Sequence, residues 1–155
     1  MENLYLEARS SEIEGTGCFA RQRIPAGTRI IEYLGQRIPP SVVEERSMVE
    51  VDDFGELIDE PRVYMFQVDR RTTIDGAVNG NDARFINHSC APNCKSTIED
   101  RRVFVDTLRN IEQGEELTFD YKLDVGTVSV AGQQLFACHC RAPNCRGTML
   151  ALPNG

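Results

Sequence analysis

The amino-acid sequence predicts a mostly β fold, and three observations carry that prediction. Short β-branched and aromatic runs recur along the chain, Gly and Pro punctuate them, and helix start signals are few. Residues 4–38 are β-rich, with tight turns at Gly15-Thr16-Gly17 and Pro25-Ala26-Gly27. The run RIIEYLGQRI, Arg29 to Ile38, is interrupted by Gly35, which marks a bulge or a close backbone approach. Pro39-Pro40 ends it. Ser41-Val42-Val43-Glu44 then matches a capping box and predicts a short helix from about Val42 to Val51. The acidic DDFGELIDEP that follows reads as a surface loop. Val63 to Val68 has strand length and character, and Thr72 to Ile74 is a shorter strand broken by Asp75-Gly76. Asn79-Gly80-Asn81-Asp82 turns the chain into Arg84 to Cys94, RFINHSCAPNC. Residues 102–107 and 117–121 read as strands on either side of a loop containing Gln113-Gly114-Glu115.

With 155 residues, 41% of them hydrophobic, the chain is long enough to bury one core without staples. No apolar run approaches the ~20 residues of a membrane helix, and the polar, acidic start is neither a signal nor a transit peptide. The expectation is a soluble, intracellular protein, cytoplasmic in a bacterium and nuclear in a eukaryote. The net charge of −7 and a pI near 4.9 speak against direct nucleic-acid binding, which needs a basic footprint. They suit a basic protein or peptide as partner, although such a charge also serves solubility alone.

Cys138, Cys140 and Cys145 form C-x-C-x4-C beside Gly, Pro and Asn. In a chain without a secretory signal, that clustering reads as thiolate ligands for zinc rather than as a disulfide framework. Three thiolates leave a tetrahedral site one short. His139 is a poor fourth, wedged between two ligands, so Cys18, Cys90 and Cys94 stand as candidates.

The Gly15-Thr16-Gly17 turn lacks the third glycine and the strand–helix context of a dinucleotide fingerprint. It permits close approach of a ligand to backbone, and no more. Tyr33, Tyr64, Phe119 and Tyr121 would each pass as strand residues, and gain meaning only by converging on one pocket. His88 with Cys90 admits a Cys–His nucleophile, whose further partners sequence cannot show.

Taken together, EGTGCFA, IPAGTRIIEYLG, YMFQVD, GNDARFINHSCAPNC, IEQGEELTFDYK and CHCRAPNCRGTM resemble one family, in the same order and with similar separations. The chain resembles a SET-domain protein-lysine methyltransferase with a post-SET zinc motif. The resemblance implies small β-sheets, one or two short helices, and a pseudoknot between the NHSC segment and the strand carrying Tyr121. Residues 1–124 would be the SET domain and 125–155 the post-SET segment. S-adenosyl-L-methionine would lie along Gly15, Thr16 and Gly17, with Tyr64, Arg84, Asn87, His88 and Tyr121 completing the pocket. Met149 and Leu150 fall where the tail covers the adenine. Cys90 would join Cys138, Cys140 and Cys145 around Zn2+.

The resemblance also assigns the chemistry. Tyr121 would orient the lysine amine or stabilise the methyl and sulfonium centre, and Tyr33 would line the channel. Phe119 occupies a Phe-or-Tyr position where Phe leaves room, so di- or trimethylation is expected. No cysteine-rich segment precedes Gly15 and the insert between Tyr33 and Tyr64 is short, so the basic substrate is a histone-like tail or another basic protein. The rival readings are a catalytically silent zinc-stabilised module that binds basic peptides, and a thiol hydrolase using Cys90 and His88.

Overall fold

The computed structural model describes residues 3–13, 15–46, 53–54, 64–121 and 138–149. Four strands open the chain: β1 (Leu6–Ser10), β2 (Thr16–Ala20), β3 (Arg29–Glu32) and β4 (Gln36–Ile38). Helix α1 (Pro40–Arg46) follows, then β5 (Met65–Gln67) and β6 (Thr73–Asp75). A single 3-10 turn over Asp82–Phe85 leads into β7 (Asn87–His88), and β8 (Cys94–Glu99), β9 (Arg102–Thr107) and β10 (Glu116–Phe119) complete the set. The larger sheet has the order β1-β2-β10-β8-β9-β3, with β7 also beside β10; the smaller is β4-β6-β5. The mostly β expectation holds. Among the described residues no helix is long and apolar enough to cross a membrane.

Local chemistry explains most of the element boundaries. The tight turn expected at Gly15-Thr16-Gly17 lies one step earlier: Ser11 N–H donates to Gly15 O at 2.8 Å, while Thr16 and Gly17 already pair with Ser10 and Arg9 in the β1–β2 ladder. Gly15 takes a positive φ of 39° that closes this turn. Gly35 separates β3 from β4, which belong to different sheets, and a side chain there would run into the Asp75 carbonyl. Close approach is therefore the reason for that glycine. The helix begins at Pro40 rather than after a Ser41 cap, because proline suits the first helical position and needs no N–H there. Its expected continuation through residues 47–51 lies outside the described residues, as does Val63.

Strands β7 and β8 have no strong signal in the sequence. CKSTIE in β8 is largely polar, yet it pairs with β9 throughout, from Cys94↔Thr107 to Glu99↔Arg102. The two-residue turn between them, Asp100-Arg101, has both residues in the left-handed region (φ 50° and 63°), which matches the strand twist. Strand β9 alternates as expected, with Val103, Val105 and Thr107 turned into the core.

Strand β10 is the axis of the molecule. It pairs antiparallel with β2 on one side and parallel with β7 and β8 on the other. The β7 pairing, Thr118↔Asn87 and Phe119↔His88, brings the NHSC segment and the Tyr121 segment together as a pseudoknot requires. Buried Asn93 completes the join, since its side chain donates to Glu116 O (2.8 Å) and accepts from Thr118 N–H (2.9 Å). One asparagine thus replaces a missing piece of β ladder. Leu117 and Phe119 are buried with Ile86, Ile111, Val103 and Val105, each large apolar side chain worth roughly 1.5–3 kcal/mol.

Candidate active site and metal centre

Three short segments end where aromatic rings meet. Tyr33 follows β3, Phe66 is the middle of β5, and Phe119 and Tyr121 stand at and just beyond the end of β10. Their rings form a continuous line: Tyr33 to Phe66 at 5.6 Å, Phe66 to Phe119 at 6.3 Å, Phe119 to Tyr121 at 4.9 Å. Of the four expected aromatics, Tyr33, Phe119 and Tyr121 converge, joined by Phe66, while the Tyr64 ring packs against Phe85 instead.

Both phenols are held by main-chain carbonyls. Tyr33 donates to Tyr64 O at 2.6 Å, and Gly76 N–H donates to the same oxygen at 2.7 Å. A Cβ on Gly76 would sit 2.9 Å from the Tyr33 hydroxyl, so glycine permits this crossing. Tyr121 donates to Ile86 O through a short hydrogen bond. Burial pushes both phenols well above their ordinary range, for Tyr33 with help from Asp75 and for Tyr121 from the neighbouring phenol of Tyr33. Neither phenol is a base at neutral pH.

The residues expected around a cofactor fall into two groups. Tyr64 and Arg84 gather at the Gly76 turn: Arg84 Nη1 reaches Gly76 O at 3.4 Å and its guanidinium lies 4.5 Å from the Phe85 ring centre, against which Tyr64 packs edge-on. Asn87 gathers the other group, with Nδ2 at 3.1 Å from Ser11 Oγ, 3.2 Å from Glu116 Oε1 and 3.5 Å from Thr16 O. A side chain at Gly17 would meet the Glu116 carboxylate, Ser11 Cβ and the Asn87 amide, so glycine lets these groups close in on the backbone. The direction of a Cβ at Gly15 is open, with nothing within 4 Å. The Asn87 carboxamide is thus fixed beside the backbone of Thr16 and Gly17, with the Cβ direction of Gly15 left open. The His88 ring nitrogens are taken up elsewhere, Nδ1 by the Tyr121 N–H at 3.0 Å and Nε2 beside Cys90 Sγ at 3.5 Å, and desolvation lowers the pKa of this buried imidazole. Met149 is half-buried, and Leu150 lies outside the described residues.

The sulfurs of Cys90, Cys138, Cys140 and Cys145 all lie within 4.8 Å of one another. Cys90 Sγ is 3.8 Å from Cys138 Sγ and 4.0 Å from Cys145 Sγ. Tetrahedral zinc with bonds of about 2.3 Å separates its sulfurs by about 3.8 Å, so the donor set and spacing fit zinc and are far too wide for disulfides. Main-chain N–H groups of Arg146 and Gly147 point at Cys90 Sγ and Cys145 Sγ, each at 3.4 Å, as suits thiolates. Cys18 and Cys94 stay outside this cluster as buried thiols. Cys90 Sγ lies 3.5 Å from His88 Nε2, yet its place among the four clustered sulfurs makes it a candidate metal ligand rather than a free nucleophile.

Several residues here escaped the sequence reading. Phe66 was visible only as part of an apolar run, and Ser11, Gly76 and Glu116 as ordinary turn or strand-end residues. Arg146, which pairs with Asp120 at 2.7 and 3.1 Å, carried one signal, its place next to Cys145.

This arrangement is that of a SET domain followed by a cysteine cluster that fits a post-SET zinc motif. The family profile described as SET domain matches residues 15–122, more than half of the chain, which therefore belongs to the SET-domain family. It is 40% identical over 152 residues to histone-lysine N-methyltransferase trr of Drosophila melanogaster, covering 95% of this chain and 6% of that protein. Identity is 37% over 152 residues to histone-lysine N-methyltransferase 2D of Homo sapiens, covering 95% and 2%. It is 38% over 144 residues to histone-lysine N-methyltransferase SETD1B of Homo sapiens, covering 90% and 7%. The chain thus spans only a small fraction of the length of these relatives.

Proposed function

We propose that the chain is a protein-lysine N-methyltransferase that uses S-adenosyl-L-methionine and modifies a basic, histone-like protein. In this reading residues 1–124 act as the SET domain and 125–155 as its zinc-binding post-SET segment. The observation that carries it is the line of Tyr33, Phe66, Phe119 and Tyr121 against the NHSC strand, next to four clustered cysteines. That the relatives above are named histone-lysine N-methyltransferases supports the substrate class.

The chemical problem is the lysine. Its reference pKa of about 10.4 makes the neutral amine cost roughly 4–5 kcal/mol at pH 7. An aromatic channel lowers that cost by disfavouring the ammonium form. S-adenosyl-L-methionine, when bound, supplies a methyl group already activated on a sulfonium. The protein's task is then desolvation and alignment. Because the protons of Tyr33 and Tyr121 are committed to Tyr64 O and Ile86 O, each phenol offers lone pairs to the channel. Those lone pairs accept from the amine N–H groups and turn the amine's own lone pair toward the methyl donor. Phe119 adds no hydroxyl to hold a water, so the channel keeps room for an amine already methylated, and di- or trimethyl-lysine is the product. The four cysteines would hold Zn2+ in a closed site without an open coordination position, which makes its role structural.

Incubation with radiolabelled S-adenosyl-L-methionine and a panel of basic proteins including histones tests this. Label on lysine is the expected result. Binding of a basic peptide without transfer to any protein would replace this reading with a silent recognition module.

A further inference from the structure

The His88 imidazole is used at both nitrogens. Tyr121 main-chain N–H donates to Nδ1 at 3.0 Å, and Nε2 lies 3.5 Å from Cys90 Sγ. A backbone N–H can only donate, so Nδ1 carries the lone pair and the proton of the neutral ring is on Nε2, directed at the sulfur. The ring also meets Tyr121 edge-on at 5.3 Å between centres. The same His88 therefore touches the main chain of the residue closest to the chemistry and a sulfur of the cysteine cluster. Around it, Asp120 Oδ1 lies 3.6 Å from Nδ1, and Arg146 grips Asp120 while its own N–H points at Cys90 Sγ.

We infer that His88 is a positioning residue that couples the four-cysteine centre to Tyr121. Its Nε2–H holds the Cys90 thiolate, its Nδ1 holds the Tyr121 main chain, and metal loading of the cysteines thereby sets where the Tyr121 phenol stands. This rests on the methyltransferase reading for its catalytic consequence, and on the geometry alone for the coupling. The N–H···S bond delocalises thiolate charge and steadies the ligand, as partners of metal ligands do elsewhere. The N–H···N bond spares Tyr121 an orphaned buried donor.

The full chain with cadmium in place of zinc gives a direct test. A scalar coupling between the cadmium nucleus and the His88 Hε2 proton is expected in the NMR spectrum, and its absence overturns the inference. Two variants separate the halves of the relay. Asn reaches only as far as Nδ1 and Gln as far as Nε2. His88→Asn is expected to speed zinc release to a chelator by about 10-fold or more while sparing exchange protection of the Tyr121 amide. His88→Gln should do the converse, and lower kcat by about 10-fold with little change in KM for S-adenosyl-L-methionine. Variants that alter zinc release and amide exchange alike would overturn the relay. The scalar coupling, zinc release and amide exchange need no turnover, so a wild-type chain that methylates nothing would defeat the proposed function while leaving the relay standing. An active wild type lacking the coupling would do the reverse.

Discussion

Tyr121 is restrained at its phenol by Ile86 O, at its main chain by His88 and on its ring by Phe119. Replacement by Phe keeps the ring contacts and loses one hydrogen bond, a change of about 1 kcal/mol in stability. Under the proposed function activity should fall by about 100-fold or more, since the phenol's lone pairs would act only on the reacting groups. Comparison of denaturation midpoints with single-turnover rates checks the separation. Phe119→Tyr adds a hydroxyl beside Phe66 and Tyr121, and its methyl-lysine products should shift toward monomethyl in a mass-spectrometric time course. Continued trimethylation by that variant would remove Phe119 from the control of product state. The aromatic candidates were legible in the sequence as residue types. That they share one site came only from the family resemblance, because the physical link is Phe66, an unremarkable member of an apolar run.

Strand β10 and the C-terminal tail meet through a few polar contacts. Arg146 pairs with Asp120 in two-point fashion, and Asn144 Nδ2 donates to Cys90 O at 3.2 Å. Both side chains of the ion pair are largely shielded, at 18% and 17% exposure, so it is worth more than a surface pair. Arg146→Gln leaves the Asp120 carboxylate short of its charged partner. It should loosen the tail by about 1.5–3 kcal/mol, read as faster amide exchange across residues 138–149. Cys140→Ser removes one of the clustered thiols, and both zinc content by elemental analysis and S-adenosyl-L-methionine affinity by calorimetry should drop. Loss of zinc with unchanged methylation would show that the tail is dispensable to the cofactor site. The C-x-C-x4-C spacing announced three of these thiols, while its fourth partner lies 48 residues before Cys138 and could be given only by resemblance.

At the scale of the molecule, the buried thiols of Cys18 and Cys94 predict an alkaline limit. Burial pushes each from an ordinary 9.0 up to about 12. Below pH 9 the folded and unfolded chains both hold these protons. Between about pH 9 and 12 the unfolded chain has released them and the folded chain has not. Folding then binds protons, so stability falls as pH rises. Urea midpoints should decline across that window, and replacing Cys18 and Cys94 together with Ala should flatten the decline. A midpoint independent of pH between 9 and 11 would contradict their burial as neutral thiols.

The sequence by itself determined the mostly β class, strand β9, the turns around Gly15 and Gly27, and a zinc-type cysteine motif. These follow from local preferences: side-chain period, backbone freedom at glycine and short ligand spacing. Only the tertiary structure decided which way His88 faces, how Asn93 stitches β10 to its neighbour, and why a polar stretch such as CKSTIE is a strand. Asn93 and the Nδ1 of His88 meet partners 23 to 33 residues away, and a contact of that kind leaves no periodic trace in the residues that make it. CKSTIE pairs with its hairpin neighbour β9, and its polar composition hides that pairing. The RFINHSCAPNC segment shows both halves: its composition marks it as special, and its pairing with β10 sets where Asn87, His88 and Cys94 stand.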